Sequence, residues 1–147
     1  MMTGREVTAS VPWALAAGYR AFDCAQMYRN EREAGRAITG WLADPAANAA
    51  GLRREDIFYT SKLASNSESY EAVRASISRS VEITGLGYAD LFLLHSPYGG
   101  REARLTSWRA LEDAVLEGEV RMAGVSNYGS KHVSTHVLPS FFFEDAV

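Results

Sequence analysis

The chain has 147 residues, 47% of them hydrophobic and 22% charged, a balance that suits one soluble domain with a real core and excludes disordered and fibrous classes. Its formal net charge of −3 leaves no basic stripe for nucleic acid, so no nucleic-acid partner is expected. Cys24 is the single cysteine, which excludes an intrachain disulfide and suits a reducing, cytoplasmic setting.

Near the N-terminus, VPWALAAG after Arg5 has the apolar look of a secretory core, but Pro12 interrupts it and Gly18-Tyr19-Arg20 ends it early. It reads instead as a helix: Ser10 is placed to cap it, Pro12 is tolerated in its first turn, and Gly18 can take the left-handed conformation on which helices often end. No stretch approaches the roughly 20 apolar residues of a membrane helix, so no membrane partner is expected. Strand RAFDC (20–24) follows. Asn30 is placed to cap a helix through Glu31, Glu33, Ile38 and Trp41, its early acids facing the positive end of the helix dipole. Asp44-Pro45 opens a loop that runs to Gly51.

Strand IFYTSK (57–62) is β-branched and aromatic. Ser65 and Glu68 form a candidate capping box for the next helix. That helix places Val73, Ile77, Ser80 and Thr84 on one face, leaves Arg74 and Arg79 for solvent and stops at Gly85. ADLFLLH (89–95) is apolar without alternation, which predicts a strand covered on both faces. Thr106 is placed to cap a helix with Trp108, Leu111 and Val115 on one face and Gly118 just past its end. VRMAGVS (120–126) closes the series, and Met27 and Met122 are core candidates.

Strand and helix thus alternate as about four successive βα units in a single domain spanning 1–147. Two architectures fit: a flavodoxin-like open sheet, which about 150 residues complete, and part of a (β/α)₈ barrel, which takes about 250. Both gather residues from the C-terminal ends of parallel strands around one pocket. The polar residues at those ends are Asp23, Lys62, His95 and the Ser126-Asn127 pair, with Tyr28 five positions after Asp23.

The segments GYRAFDCAQMYRNEREAGRAI, IFYTSKL, YADLFLLHSP and RMAGVSNYG resemble the aldo-keto reductases, a family of NADPH-dependent (β/α)₈ barrels that reduce aldehydes and ketones. The likeness runs from about Ala14 to Tyr128. It rests on Asp-x4-Tyr, a strand-end Lys, a strand-end His and a Ser-Asn pair, in order after the right elements. It implies a partial (β/α)₈ TIM barrel that lacks the first strand and the C-terminal half. It also implies that Tyr28 donates a proton to the substrate, Lys62 makes the phenol a better acid, Asp23 pairs with Lys62, and His95 orients the substrate carbonyl. Ser126 and Asn127 hold the carboxamide of the nicotinamide on this reading, with Asp23 on the cofactor side as well.

The chemistry needs these residue types. Hydride delivered to a carbonyl carbon leaves charge on oxygen, so an acid must hydrogen-bond that oxygen and finally protonate it. A free phenol is a weak acid at neutral pH. A nearby ammonium favours its ionised form, and a carboxylate keeps that ammonium charged and fixed. A neutral imidazole at His95 can donate to the same oxygen. The hydride has to come from a cofactor, because no side chain carries one.

Taken singly, each residue has a plainer reading. Asp23 can pair with Arg20 at a strand end, Tyr28 can cover an apolar edge, Lys62 can be solvated, His95 can satisfy a turn carbonyl, and Ser126-Asn127 is good turn chemistry. Their joint occurrence favours the site. Cys24 reads as a small core residue. His132 and His136 stand four apart with no third ligand for a metal. Gly85-Leu86-Gly87 is a helix end. The absence of GxGxxG, GxxxxGK[ST] and GxSxG leaves no other nucleotide loop, and places a hydrolase using His95 last.

Departures from the family pattern are as informative. A hairpin and first strand do not fit into MMTGREVTAS, and beyond Tyr128 the chain runs through KHVSTHVLPSFFFEDAV. The aromatic that stacks on nicotinamide and the basic residues that grip the adenosine phosphate therefore have no counterpart. The ending FFFEDAV has the look of a truncated or mispredicted gene product. Position 96 is Ser where many members place an aromatic. Two functions are expected in alternative. One is an NADPH-dependent reductase whose partner is a small carbonyl compound and whose acid is Tyr28. The other is a catalytically inactive half-domain that works through association with another chain.

Overall fold

The computed structural model describes residue 2 and residues 4–136. Val7, Val11 and Leu15 recur every four residues along α1 (Gly4–Ala16) and are buried on one face. The helix starts well before Ser10, whose hydroxyl donates back to Glu6 O at 2.7 Å instead of capping a terminus, and Pro12 lies inside the helix. Its end is as expected. Gly18 at φ 94 lets Tyr19 N reach Ala14 O and Gly18 N reach Leu15 O, the paired bonds that close a helix on a left-handed residue.

β1 (Ala21–Asp23), α2 (Glu31–Ala43), β2 (Phe58–Leu63), α3 (Tyr70–Thr84), β3 (Ala89–Leu94), α4 (Gly100–Leu116), β4 (Val120–Val125) and α5 (Ser130–His136) then follow. Three further caps differ from expectation, and at two of them longer-range bonds outbid local ones. Ser69, not Ser65, caps α3 by accepting from Ala72 N at 3.2 Å. The residues before it are held elsewhere, Ala64 N by Gln26 Oε1 and Ser67 N by Ser107 Oγ. α4 begins at Gly100, so Thr106 lies in its interior. Asn30 does precede α2, but its Nδ2 donates to Met2 O at 3.2 Å and its side chain caps nothing. Arg74 is not left to solvent either; it bridges to Glu117 and Glu119 and ties α3 to the turn between α4 and β4. Arg79 is exposed.

The sheet is parallel throughout and its strands lie in chain order, β1-β2-β3-β4. Each strand adds on the same side, so the sheet has no switch point, and the doubly wound flavodoxin arrangement is excluded. Right-handed crossovers then put the helices on one face, where α1 packs on α2, α2 on α3 and α3 on α4. α2 rides on the end of α3 so closely at Gly35 that a Cβ there would sit 2.1 Å from Thr84 O. The architecture is a partial (β/α)₈ barrel. No helix among the described residues is long and apolar enough to cross a membrane.

Register decides what each face carries. Tyr59, Ser61, Leu63, Asp90, Phe92 and Leu94 share the helix-covered face and are all buried. Thr60, Lys62, Leu91, Leu93, Met122 and Gly124 share the other. There Leu91 and Leu93 are half-buried, which corrects the expectation of a strand covered on both sides. Met27 and Met122 leave the core as well, at 56% and 46% exposure. The physical reason is that a barrel strand is apolar on its inner face to pack against side chains across the interior, and the described residues leave that face half open.

Candidate active site

β1 delivers Asp23 to the C-terminal rim, and Cys24 N still bonds Thr60 O at 2.8 Å. The chain then turns through a 3₁₀ turn, Gln26–Tyr28, closed by Arg29 in the left-handed conformation at φ 53. That turn returns Tyr28 over the strand ends. Lys62, on β2, is buried among these groups. Its Nζ donates to both carboxylate oxygens of Asp23 at 2.6 Å and to Cys24 O at 3.0 Å, and the Tyr28 hydroxyl lies 3.5 Å away. An ammonium has three protons to direct, and here they are aimed at a carboxylate, a carbonyl and a phenol. Arg20 plays no part in this. Its guanidinium donates to Leu15 O and Tyr19 O, so the plainer pairing with Asp23 does not occur.

His95 stands one residue beyond β3 with its ring edge-on to Tyr28, centroids 5.7 Å apart at 81°. Its Nδ1 is buried without a hydrogen-bond partner among the described residues. Burial, and then the positive charge of Lys62, lower its pKa below the ordinary histidine value, with Asp23 opposing. The imidazole is accordingly neutral at pH 7. Burial also pushes the Cys24 thiol up to about 11, which keeps it protonated and inert, a small core residue as expected.

Four of the six site residues read from the sequence thus meet in one place: Asp23, Tyr28, Lys62 and His95. Ser126 and Asn127 adjoin them from the end of β4. Asn127, left-handed at φ 62, donates from Nδ2 to His95 O at 2.8 Å and to Ser126 Oγ at 3.1 Å. A cavity of about 630 Å³ opens at this rim between Met27, Asn66, His95, Ser96, Tyr98 and Asn127. Among the described residues no group of three or more His, Cys, Asp and Glu side chains is placed to hold a metal ion. His132 Nδ1 accepts from Gly129 N at 3.2 Å, and the side chain of His136 lies outside the described residues.

Sequence reasoning missed three supports of the site. Glu31, read as a dipole-facing acid, is 5% exposed and accepts from Ser61 Oγ at 2.5 Å. Burial raises its pKa, with Ser61 and Ser80 opposing. Gln26 bonds both Ala64, just past β2, and α3. Asn66 donates to Ser96 O and Tyr98 O, joining the loops beyond β2 and β3. The available signal was a serine in the middle of a strand and another on the apolar face of a helix, since a polar group at a core position needs a partner.

The model of the Aldo/keto reductase family matches residues 2–137. An uncharacterised oxidoreductase of Schizosaccharomyces pombe is 50% identical over 124 residues, covering 84% of this chain and 42% of the relative. The glyoxal reductase of Bacillus subtilis is 37% identical over 130 residues, 88% of this chain and 43% of that protein. A crystal structure of an aldo/keto reductase from Brucella melitensis superposes with a TM-score of 0.78 at 35% identity, covering 90% of this chain and 48% of that one. The chain spans under half the length of these relatives. Fold, site geometry and family match agree, and the chain belongs to the aldo/keto reductase family.

Proposed function

We propose that this site reduces aldehydes or ketones to alcohols, with NADPH as the hydride source and Tyr28 as the proton donor. The observation that carries the reading is the Lys62 ammonium, fixed by Asp23 and the Cys24 carbonyl with the Tyr28 hydroxyl at 3.5 Å. As Tyr28 gives its proton to the substrate oxygen, the phenol oxygen takes on negative charge, and a fixed positive charge at that distance stabilises it. His95 adds a neutral N–H toward the same substrate oxygen.

The donor set fits the carboxamide end of a nicotinamide. With its Nδ2 committed to His95 O, Asn127 keeps Oδ1 as an acceptor, and Ser126 keeps a hydroxyl proton to give. A primary carboxamide needs one of each. NADPH, when bound, supplies the hydride; its choice over NADH follows the family resemblance. The name of the Bacillus relative, a glyoxal reductase, supports a carbonyl substrate. A lone, buried cysteine supports a cytoplasmic setting.

The test is NADPH oxidation by the 147-residue chain with a broad aldehyde panel. Tyr28→Phe should lower turnover by about 10² to 10⁴, the usual worth of a general acid. Undiminished activity in that variant would reject Tyr28 as the acid.

A second reading is favoured by the coverage of under half of each relative. Among the described residues, β1 and β4 each present an unpaired outer edge, and open edges invite pairing with another chain. On this reading the chain is an inactive half-domain that associates with a partner. Tight NADPH binding by the purified chain, followed by fluorescence titration, contradicts it.

A further inference from the structure

Behind the phenol and the ammonium runs a polar seam that the proposed chemistry leaves unused. Gln26 opens the 3₁₀ turn that ends in Tyr28. Its Oε1 accepts from Ala64 N at 2.8 Å, two residues beyond Lys62. Its Nε2 donates to Ser76 O at 3.1 Å, Ser76 Oγ at 2.9 Å and Ser80 Oγ at 3.0 Å. The seam continues to Glu31, which takes the Ser61 hydroxyl, and Ser61 is the neighbour of Lys62 on β2.

We propose that Gln26 is a positioning residue that sets the separation between Tyr28 and Lys62; its functional meaning rests on the reductase reading. The turn's own hydrogen bonds, Tyr28 N to Ala25 O and Arg29 N to Gln26 O, are local and fix only its shape. Upstream of the turn, Cys24 is tied to β2 through Thr60 O and Lys62 Nζ; the turn itself is tied to Ala64, just past β2, and to α3 by the Gln26 amide. A primary amide both donates and accepts from the end of its chain, which an ionised carboxylate of the same length cannot do. The contact it governs is sensitive. At 3.5 Å the Tyr28 oxygen already lies at the outer limit of a hydrogen bond to Nζ, so an outward shift of a few tenths of an ångström ends it.

The test compares the full chain with Gln26→Met, which keeps length and loses both kinds of bond, and Gln26→Glu, which keeps only the acceptor. The readout is the nuclear Overhauser effect from the Tyr28 ring protons to the Lys62 ε-methylene and to the His95 ring, with thermal unfolding alongside. Gln26→Met should lose at least half of both intensities and Gln26→Glu at least a quarter. A merely structural role lowers the unfolding temperature and leaves the intensities of the folded protein unchanged. Unchanged intensities in folded Gln26→Met overturn the proposal, and if that variant does not fold, unchanged intensities in Gln26→Glu do so. The aldehyde assay on the same proteins should show kcat reduced at least tenfold with KM within twofold. Absence of NADPH oxidation by the wild-type chain refutes the reductase reading, while the ring-proton comparison still decides the role of Gln26.

Discussion

The two ends of the same parallel strands each hold a cation against a carboxylate, Arg54 half-buried at one end and Lys62 buried at the other, and they use it differently. At the N-terminal end, Arg54 donates to Leu86 O, Ile57 O, Tyr88 O and Asp90. Asp90 also accepts from Tyr59 N, with Arg121 at 3.6 Å, and the two guanidinium groups sandwich the Tyr88 ring at 3.9 Å each. At the C-terminal end the Lys62 side chain is 7% exposed but Asp23 is 60% exposed, and His95 Nδ1 has no partner among the described residues. The first cluster is closed on itself and holds strand ends together. The second holds its cation just as firmly and leaves hydrogen-bonding capacity unspent beside it. A barrel is expected to divide its labour this way, with stability at the N-terminal end and chemistry at the other.

Substitutions at the two cations' sites should therefore separate rate from stability. The largest effect is expected for Lys62→Met, which should cut carbonyl-reducing turnover by about 10² to 10⁴ while changing unfolding by less than about 1 kcal/mol, because the Asp23 it leaves behind is open to water. Steady-state assay and urea denaturation check both halves; a large loss of stability with little loss of rate would reverse the assignment. Next, Asp90→Ala should cost about 1 to 3 kcal/mol by leaving the buried Tyr59 N–H without its acceptor and removing the carboxylate beside Arg54, with turnover per folded molecule unaltered. A cost below about 1 kcal/mol would erase the contrast between the two ends.

The smallest effect concerns pH. Burial raises the Glu31 pKa above 4.5, so the folded chain binds that proton more tightly than the unfolded one. The contribution to stability is full below the ordinary value and is lost as pH rises through the raised one. Glu31→Gln keeps an acceptor for Ser61 and cannot ionise. Its urea midpoint should gain on the wild type between pH 4.5 and neutrality, and a constant gap would show that Glu31 does not titrate as its burial dictates.

The site was legible because Asp23, Lys62, His95 and Ser126-Asn127 interrupt apolar runs where strands give out, with Tyr28 at a fixed spacing after Asp23. Asp90 interrupts such a run too, at its beginning, where the apolar run and the His95 that ends it are the stronger signals in ADLFLLH. Where within the strand the charge falls distinguishes the two clusters: near the start for Asp90, at the exit for Lys62 and His95. The two-faced apolar pattern of β3 misled because periodicity does not separate a face under helices from a face lining a barrel. Thr106 fails as a cap because α4 already begins at Gly100. Ser65 is a sound cap judged locally, and the bonds that hold its neighbours away from that role, Ala64 N to Gln26 and Ser67 N to Ser107, reach distant parts of the chain. Glu31 escaped for the same reason, its partner lying on β2.

The contact between Gly35 and Thr84 reaches further than packing. A methyl group at position 35 has no room beside the Thr84 carbonyl, so any larger residue must lever α2 away from α3. The first turn of α2 carries Glu31, and the chain entering that turn carries Tyr28. A lesion on the outer shell would thus be transmitted to the rim, and a mutational screen scored by catalysis alone would map it to the chemistry it never touches.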